Sequence, residues 1–135
     1  MAGGRAFTGT FVSMGNPHFV IFCPDAETRD LAADGPLVEH AGVFPQRCNV
    51  EFVTPWADGS LRVRVWERGS GVTMACGTGA CAVAVAAALT GRCGPSSRIV
   101  MDGGELLAEW DRPAGEVRLS GPAAFVFEGR VEIDD

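Results

Sequence analysis

One stretch limits the fold of this chain more than any other. From Ala80 to Leu89 it reads ACAVAVAAAL, apolar at every position and mostly alanine or valine, directly after Gly77-Thr78-Gly79. A helix with no polar face has to be buried all round, and small side chains let its neighbours approach closely on each side. The remaining sequence offers short strand-like bursts: Phe7–Val12, Phe19–Phe22, Asn49–Val53, Leu61–Trp66, Ile99–Met101, Glu105–Trp110, Val117–Leu119 and Phe125–Val131. In LRVRVW, apolar Leu61, Val63 and Val65 alternate with Arg62, Arg64 and Trp66, the period of two of a half-buried strand. MDGGELL sets two glycines between apolar runs, which reads as a hairpin. The stretch Asp25 to His40 is amphipathic but interrupted near Gly35-Pro36, so two short surface helices are expected there. The economical arrangement is an α+β fold, a curled, mostly antiparallel sheet or barrel wrapped around one central buried helix. Residues 1–135 are expected to form a single domain.

Composition narrows the function classes. The chain is 47% hydrophobic and 21% charged, as expected of a globular protein. A net charge of −6 without a basic stripe argues against nucleic-acid binding. No apolar run reaches the length of a membrane span, and MAGGRAFTGTF lacks the regions of a signal peptide, so a cytoplasmic protein is expected. The five cysteines, at 23, 48, 76, 81 and 93, include no CxxC pair, which disfavours a disulfide framework or a structural metal site. All eleven basic residues are arginine. A pyridoxal-phosphate Schiff base and a P-loop both need a lysine, so this chain supplies neither.

Cys76 stands where the buried helix is expected to begin. Helix N-termini carry unpaired N–H groups and a partial positive charge. A thiolate there is stabilised, so the thiol pKa is expected to fall and the sulfur to act as base or nucleophile. The same N–H groups, unobstructed because the glycines there have no side chains, can hold a substrate carboxylate. The plainer reading of any cysteine is a small buried hydrophobe, and it is the one taken for Cys23, Cys48, Cys81 and Cys93. GTGACA also fits a dinucleotide-binding fingerprint, but that motif needs a strand directly before it and a parallel βαβ unit around it. Here about ten loop residues are expected between Trp66 and the glycines.

Four blocks, SMGNPHFVIF, FPQRCNVEFV, RVRVWERGSGVTMACGTGACA and LSGPAAFVFEG, resemble in order and spacing the C-terminal half of the diaminopimelate epimerases. The resemblance runs from about Phe11 onward. It implies a cofactor-independent isomerase interconverting LL- and meso-diaminopimelate on the bacterial route to lysine and peptidoglycan. It also implies two similar domains with the site in the cleft between them, and a possible homodimer. Two cysteines on opposite faces of the α-carbon exchange its proton in that family. Cys76 matches one of them; the other belongs to a Cys-Gly-Asn-Gly motif in an N-terminal domain that this chain does not contain. Asn16, Asn49, Glu67 and Arg68 match substrate-holding positions, Gly77 and Thr78 match the carboxylate loop, and His18 lies near the site.

Independent physical roles fit these residues. Asn16 sits in a Gly-Asn-Pro turn and offers a donor and an acceptor. Arg68 can clasp a carboxylate and Glu67 can pair with an ammonium. Each also has a plainer reading: Asn16 as the cap of its own turn, Glu67-Arg68 as a solvated pair, His18 as a structural histidine. Val72 stands where the family usually has glutamate. The isolated chain is expected to epimerise little, because inversion needs proton donors on both faces. A related amino-acid racemase, or a non-catalytic amino-acid-binding or assembly domain, remains an alternative.

Overall fold

The computed structural model describes residues 1–133. Eight strands and two helices follow in the order β1 (Thr10–Ser13), β2 (Pro17–Phe22), α1 (Leu31–Glu39), β3 (Asn49–Pro55), β4 (Leu61–Glu67), β5 (Gly71–Thr73), α2 (Gly77–Leu89), β6 (Ser96–Met101), β7 (Gly104–Asp111) and β8 (Glu116–Ser120). One sheet runs β1-β2-β3-β4-β6-β7-β8, with β5 paired to β4. The β2–β3 and β4–β6 pairings are parallel and the others antiparallel. Each parallel pairing is spanned by a helix, as such a connection requires.

Helix α2 packs against β1 and β2 at one end of the sheet and β7 and β8 at the other, so the sheet curls around it. Every residue from Gly79 to Ala87 is buried. Val83 is flanked in the core by Val20, Val53, Leu61, Val63, Val65 and Ile99. The period of two in each strand sorts side chains between this core and a smaller one on the opposite face. Val53 of β3 faces α2, whereas Val50 and Phe52 join Ile21, Leu31 and Val38 beneath α1. Residues Asn49 to Val53 are therefore all buried, because the strand is covered on both sides. The far end of α2 is closed by a Schellman motif: Arg92 N–H donates to Ala87 C=O at 2.8 Å and Gly91 N–H, at φ 72°, to Ala88 C=O at 3.2 Å.

Three expectations are corrected. Asp25–His40 holds one helix, not two, and Pro36 lies inside it. Gly35 is there for packing: a Cβ at that position would lie 2.3 Å from Cγ of Trp66. The Trp66 indole N–H in turn donates to Glu39 at 2.7 Å, so tertiary contacts hold a helix that its own sequence interrupts. Phe125–Val131 forms no strand; Phe125, Val126, Phe127 and Val131 follow β8 exposed, because among the described residues no strand pairs with them. The supposed loop between Trp66 and the glycines contains β5, which folds back on β4 with Trp66 opposite Val72. The hairpin at MDGGELL forms, with Met101 opposite Gly104.

Candidate active site at the start of the central helix

The strand directions gather the candidate residues at one rim. β2 and β3 begin there, β4 ends there because it runs antiparallel to β3, and α2 opens beside them. Cys76 is the N-cap of α2, with extended backbone at φ −145°, ψ 113°, and its sulfur accepts the Gly79 N–H at 3.4 Å. The sulfur is partly buried, and Gly77 and Thr78 beside it are exposed. Helix geometry leaves the first N–H groups without intrahelical acceptors. Since Gly79 gives its own to the sulfur, those of Gly77 and Thr78 are left for an anion.

The thiol pKa departs from expectation. Burial pushes the Cys76 thiol up, the Gly79 N–H and Thr78 hydroxyl draw it back, and the charges of Glu67 and Glu51 push it up again. The net direction is upward, because no cationic side chain offsets burial and two carboxyls. A helix start alone is too weak to invert that balance.

Around the sulfur runs a chain of side chains. Thr78 Oγ1 lies 3.7 Å from Cys76 Sγ. The Asn16 amide donates to Thr78 Oγ1 at 3.2 Å, its oxygen lies 3.1 Å from Nε2 of His18, and Nδ1 of His18 lies 2.6 Å from Oε1 of Glu51. Asn16 thus bridges the two ends rather than capping its own turn, aided by Gly15, whose φ of 92° lets the chain reverse into β2. His18 is fully buried, as a structural histidine would be, and is also linked to the site.

The remaining candidates divide. Glu67 accepts from the Thr73 hydroxyl at 2.8 Å and is close enough for its charge to act on Cys76. Arg68, the first residue past the end of β4, takes the other direction: it is exposed and donates to the Gln46 carbonyl at 3.0 Å. Asn49 is buried, donating to the Pro17 carbonyl at 3.1 Å and accepting the Arg68 N–H at 2.8 Å. It fastens the Gly-Asn-Pro-His turn to the end of β4. Val72 is about half exposed on β5.

The sequence reading missed Glu51. Its signal was present, a carboxylate in the middle of the apolar run NVEFV, but only the fold turns it toward α2. A Cβ at Gly79 would lie 2.8 Å from Glu51 Oε1 and 3.2 Å from the Cys76 sulfur, so glycine is what allows the two to share this corner. The other cysteines lie elsewhere; Cys48 is fully buried, with its thiol pushed up to about 12 chiefly by burial. One surface hollow, lined by Phe7, Phe19, Val38 and Phe44, does not include Cys76. Its lining carries no acidic, basic or thiol side chain. Among the described residues, no three His, Cys, Asp or Glu side chains are grouped to hold a metal ion, and no helix is long and apolar enough to cross a membrane.

Comparison with known proteins gives a consistent outcome. The profile of the family described as diaminopimelate epimerase matches residues 10–126. The chain is 56% identical over 132 residues to the diaminopimelate epimerase of Phocaeicola vulgatus, covering 98% of this chain and 47% of that protein. It is 51% identical to that of Parabacteroides distasonis, covering 98% and 49%, and 54% identical to that of Desulforudis audaxviator, covering 96% and 46%. The chain therefore spans about half the length of these relatives. Among solved structures it resembles two phenazine biosynthesis proteins of the PhzF family. The Bacillus anthracis protein matches at a TM-score of 0.56 and 22% identity over 84% of this chain and 36% of that one. The Enterococcus faecalis protein matches at 0.56 and 13%, over 72% and 35%. These two likenesses concern the fold.

Proposed function

The chain belongs to the diaminopimelate epimerase family, and we propose that it supplies one of the two acid/base groups, Cys76, for cofactor-independent epimerisation of LL- to meso-diaminopimelate. The reading is carried by one observation: a partly buried sulfur caps an open helix start whose next two residues, Gly77 and Thr78, are exposed. A substrate α-carboxylate held by those N–H groups would bring its α-carbon beside the sulfur. As thiolate, Cys76 takes the α-proton; the C–H electron pair passes into the carboxylate, where the helix N–H groups stabilise the added charge. A thiol on the opposite face, supplied from outside this chain, returns a proton and inverts the centre. In the opposite direction Cys76 is the donor, the state favoured by its raised pKa.

The two carboxyls beside the sulfur suit this substrate. An ammonium group entering next to Glu67 would offset the charge that pushes the thiol up, so the substrate would help ionise its own base. Asn16 and Arg68 border the rim and are proposed to hold the distal groups, with Asn49 fixing their backbone.

The test is diaminopimelate turnover followed by α-deuterium incorporation in heavy water. The intact enzyme with Cys76→Ala should lose epimerisation, and the 135-residue chain alone should show none until the other half is added in trans. Epimerisation by this chain alone would overthrow the two-thiol account. The raised thiol pKa by itself favours a second reading, a non-catalytic amino-acid-binding domain. That reading requires Cys76→Ala to leave function intact and substrate to leave the thiol's alkylation profile unmoved.

A further inference from the structure

We infer that Glu51 is a positioning residue that orients the hydrogen-bond chain ending at Cys76, aiming donors at the sulfur while it keeps its own proton. Glu51 and His18 are both fully buried, and Oε2 of Glu51 is a buried atom with no hydrogen-bond partner. A carboxylate seldom leaves an oxygen orphaned away from water, whereas a neutral carboxylic acid tolerates it far better. Burial, the largest influence, correspondingly raises the Glu51 pKa against the pull of His18.

The donor and acceptor inventory then fixes the polarity. The Asn16 amide nitrogen donates to Thr78, so its oxygen faces His18 and can only accept. Nε2 of His18 must carry the hydrogen. In neutral imidazole Nδ1 is then a lone pair, satisfied by the Glu51 O–H at 2.6 Å. Thr78, having accepted from Asn16, is left to donate to the Cys76 sulfur. Every bond points the same way and favours the thiolate. Ionising Glu51 reverses the order: the carboxylate accepts from Nδ1–H, the Asn16 amide turns over, Thr78 donates backward, and the thiol must keep its proton. Direct electrostatics acts in the same sense, since a charged Glu51 pushes the Cys76 pKa up. The ionisable groups around Glu51 are His18 on β2, Glu67 on β4, Cys48 just before β3 and Cys76 at α2, so the proton on Glu51 lowers the cost of ionising Cys76 without being exchanged with it.

The inference deepens the role proposed for Cys76, but its test reads the thiol rather than turnover, so the two fail separately. On the intact protein, the alkylation rate of Cys76 is followed against pH, peptide by peptide, because five cysteines are present. Glu51→Gln keeps a donor facing Nδ1 and should retain the wild-type midpoint. Glu51→Leu removes it and should raise the midpoint by about one unit, a tenfold slower reaction at fixed pH below it. A wild-type midpoint in folded Glu51→Leu, or an equal shift in Glu51→Gln, overturns the inference. Nitrogen-15 NMR of His18 tests it without the leucine variant: a hydrogen on Nε2 with Nδ1 bare is expected, and a hydrogen on Nδ1 refutes it.

Discussion

The two helices do the same topological work and are built on opposite principles. Helices α1 and α2 each span two parallel strands of one sheet. α1 lies on the outer face and begins at Asp30, whose carboxylate accepts the Ala33 N–H at 3.0 Å. Its buried acids are answered by neighbours: Asp34 by Arg5 and by Arg29 at 2.6 Å, Glu39 by Trp66. α2 lies inside, carries no charge, and begins at a cysteine whose sulfur receives its N–H at 3.4 Å. Asp ranks among the best N-caps; cysteine is not among the preferred ones. The outer helix carries a cap that favours stability, whereas the inner one carries the sulfur proposed above as an acid/base group, a place where stability would yield to function.

The largest effect should come from placing a charge in each helix. Ala82→Glu buries a carboxylate in a site with no polar partner and should abolish cooperative unfolding, whereas Ala32→Glu on the exposed face of α1 should stay within about 0.5 kcal/mol of the parent. Circular dichroism melts decide this, and equal damage by both changes would break the contrast. Next is Gly35→Ala, which overpacks Trp66 and should cost about 1–3 kcal/mol despite alanine's better helix propensity; a neutral result by urea titration would show that Trp66 moves aside.

The caps should then respond in opposite directions. Asp30→Ala should cost about 1 kcal/mol. Cys76→Ser, which installs a preferred cap, should leave stability equal or higher by up to about 1 kcal/mol while removing the thiol chemistry. Loss of stability in Cys76→Ser would mean that the sulfur is a structural group. The smallest effects concern pH. Glu51 is raised above its ordinary value of 4.5, so the folded state binds the extra proton and stability falls as pH rises from about 4.5 through the folded pKa. Glu51→Gln should flatten that fall in thermal melts across this range. Cys76, raised above 9.0, should be alkylated in the unliganded chain with a midpoint on the alkaline side of a free thiol, and addition of diaminopimelate should draw it back.

Much of this architecture was legible before any coordinates. The all-apolar run Ala80–Leu89 required an enclosed helix, period two identified β4, and the glycines after Met101 marked the β6–β7 turn. Gly35-Pro36 misled because helix interruption is a local signal, while the helix there is held by packing against Trp66 and by the hydrogen bond its indole donates to Glu39; Trp66 lies on β4 and is remote in sequence. Phe125–Val131 misled for the complementary reason: strand-like alternation describes a segment that can pair, and pairing needs a neighbouring edge. Cys76 stood out as a candidate because a helix start has a local signature. Glu51 did not, because its place beside His18 arises only from the parallel pairing of β2 with β3.

By itself the sequence determined the buried rod, the strand period and the sulfur at the rod's beginning, since each follows from side-chain character along a few consecutive residues. The tertiary structure alone decided the parallel pairings, the continuous helix over Pro36, the chain from Glu51 to Cys76 and the upward pKa of that sulfur. These depend on which residues far apart in the chain come within a few ångströms, and on how much water is excluded where they meet.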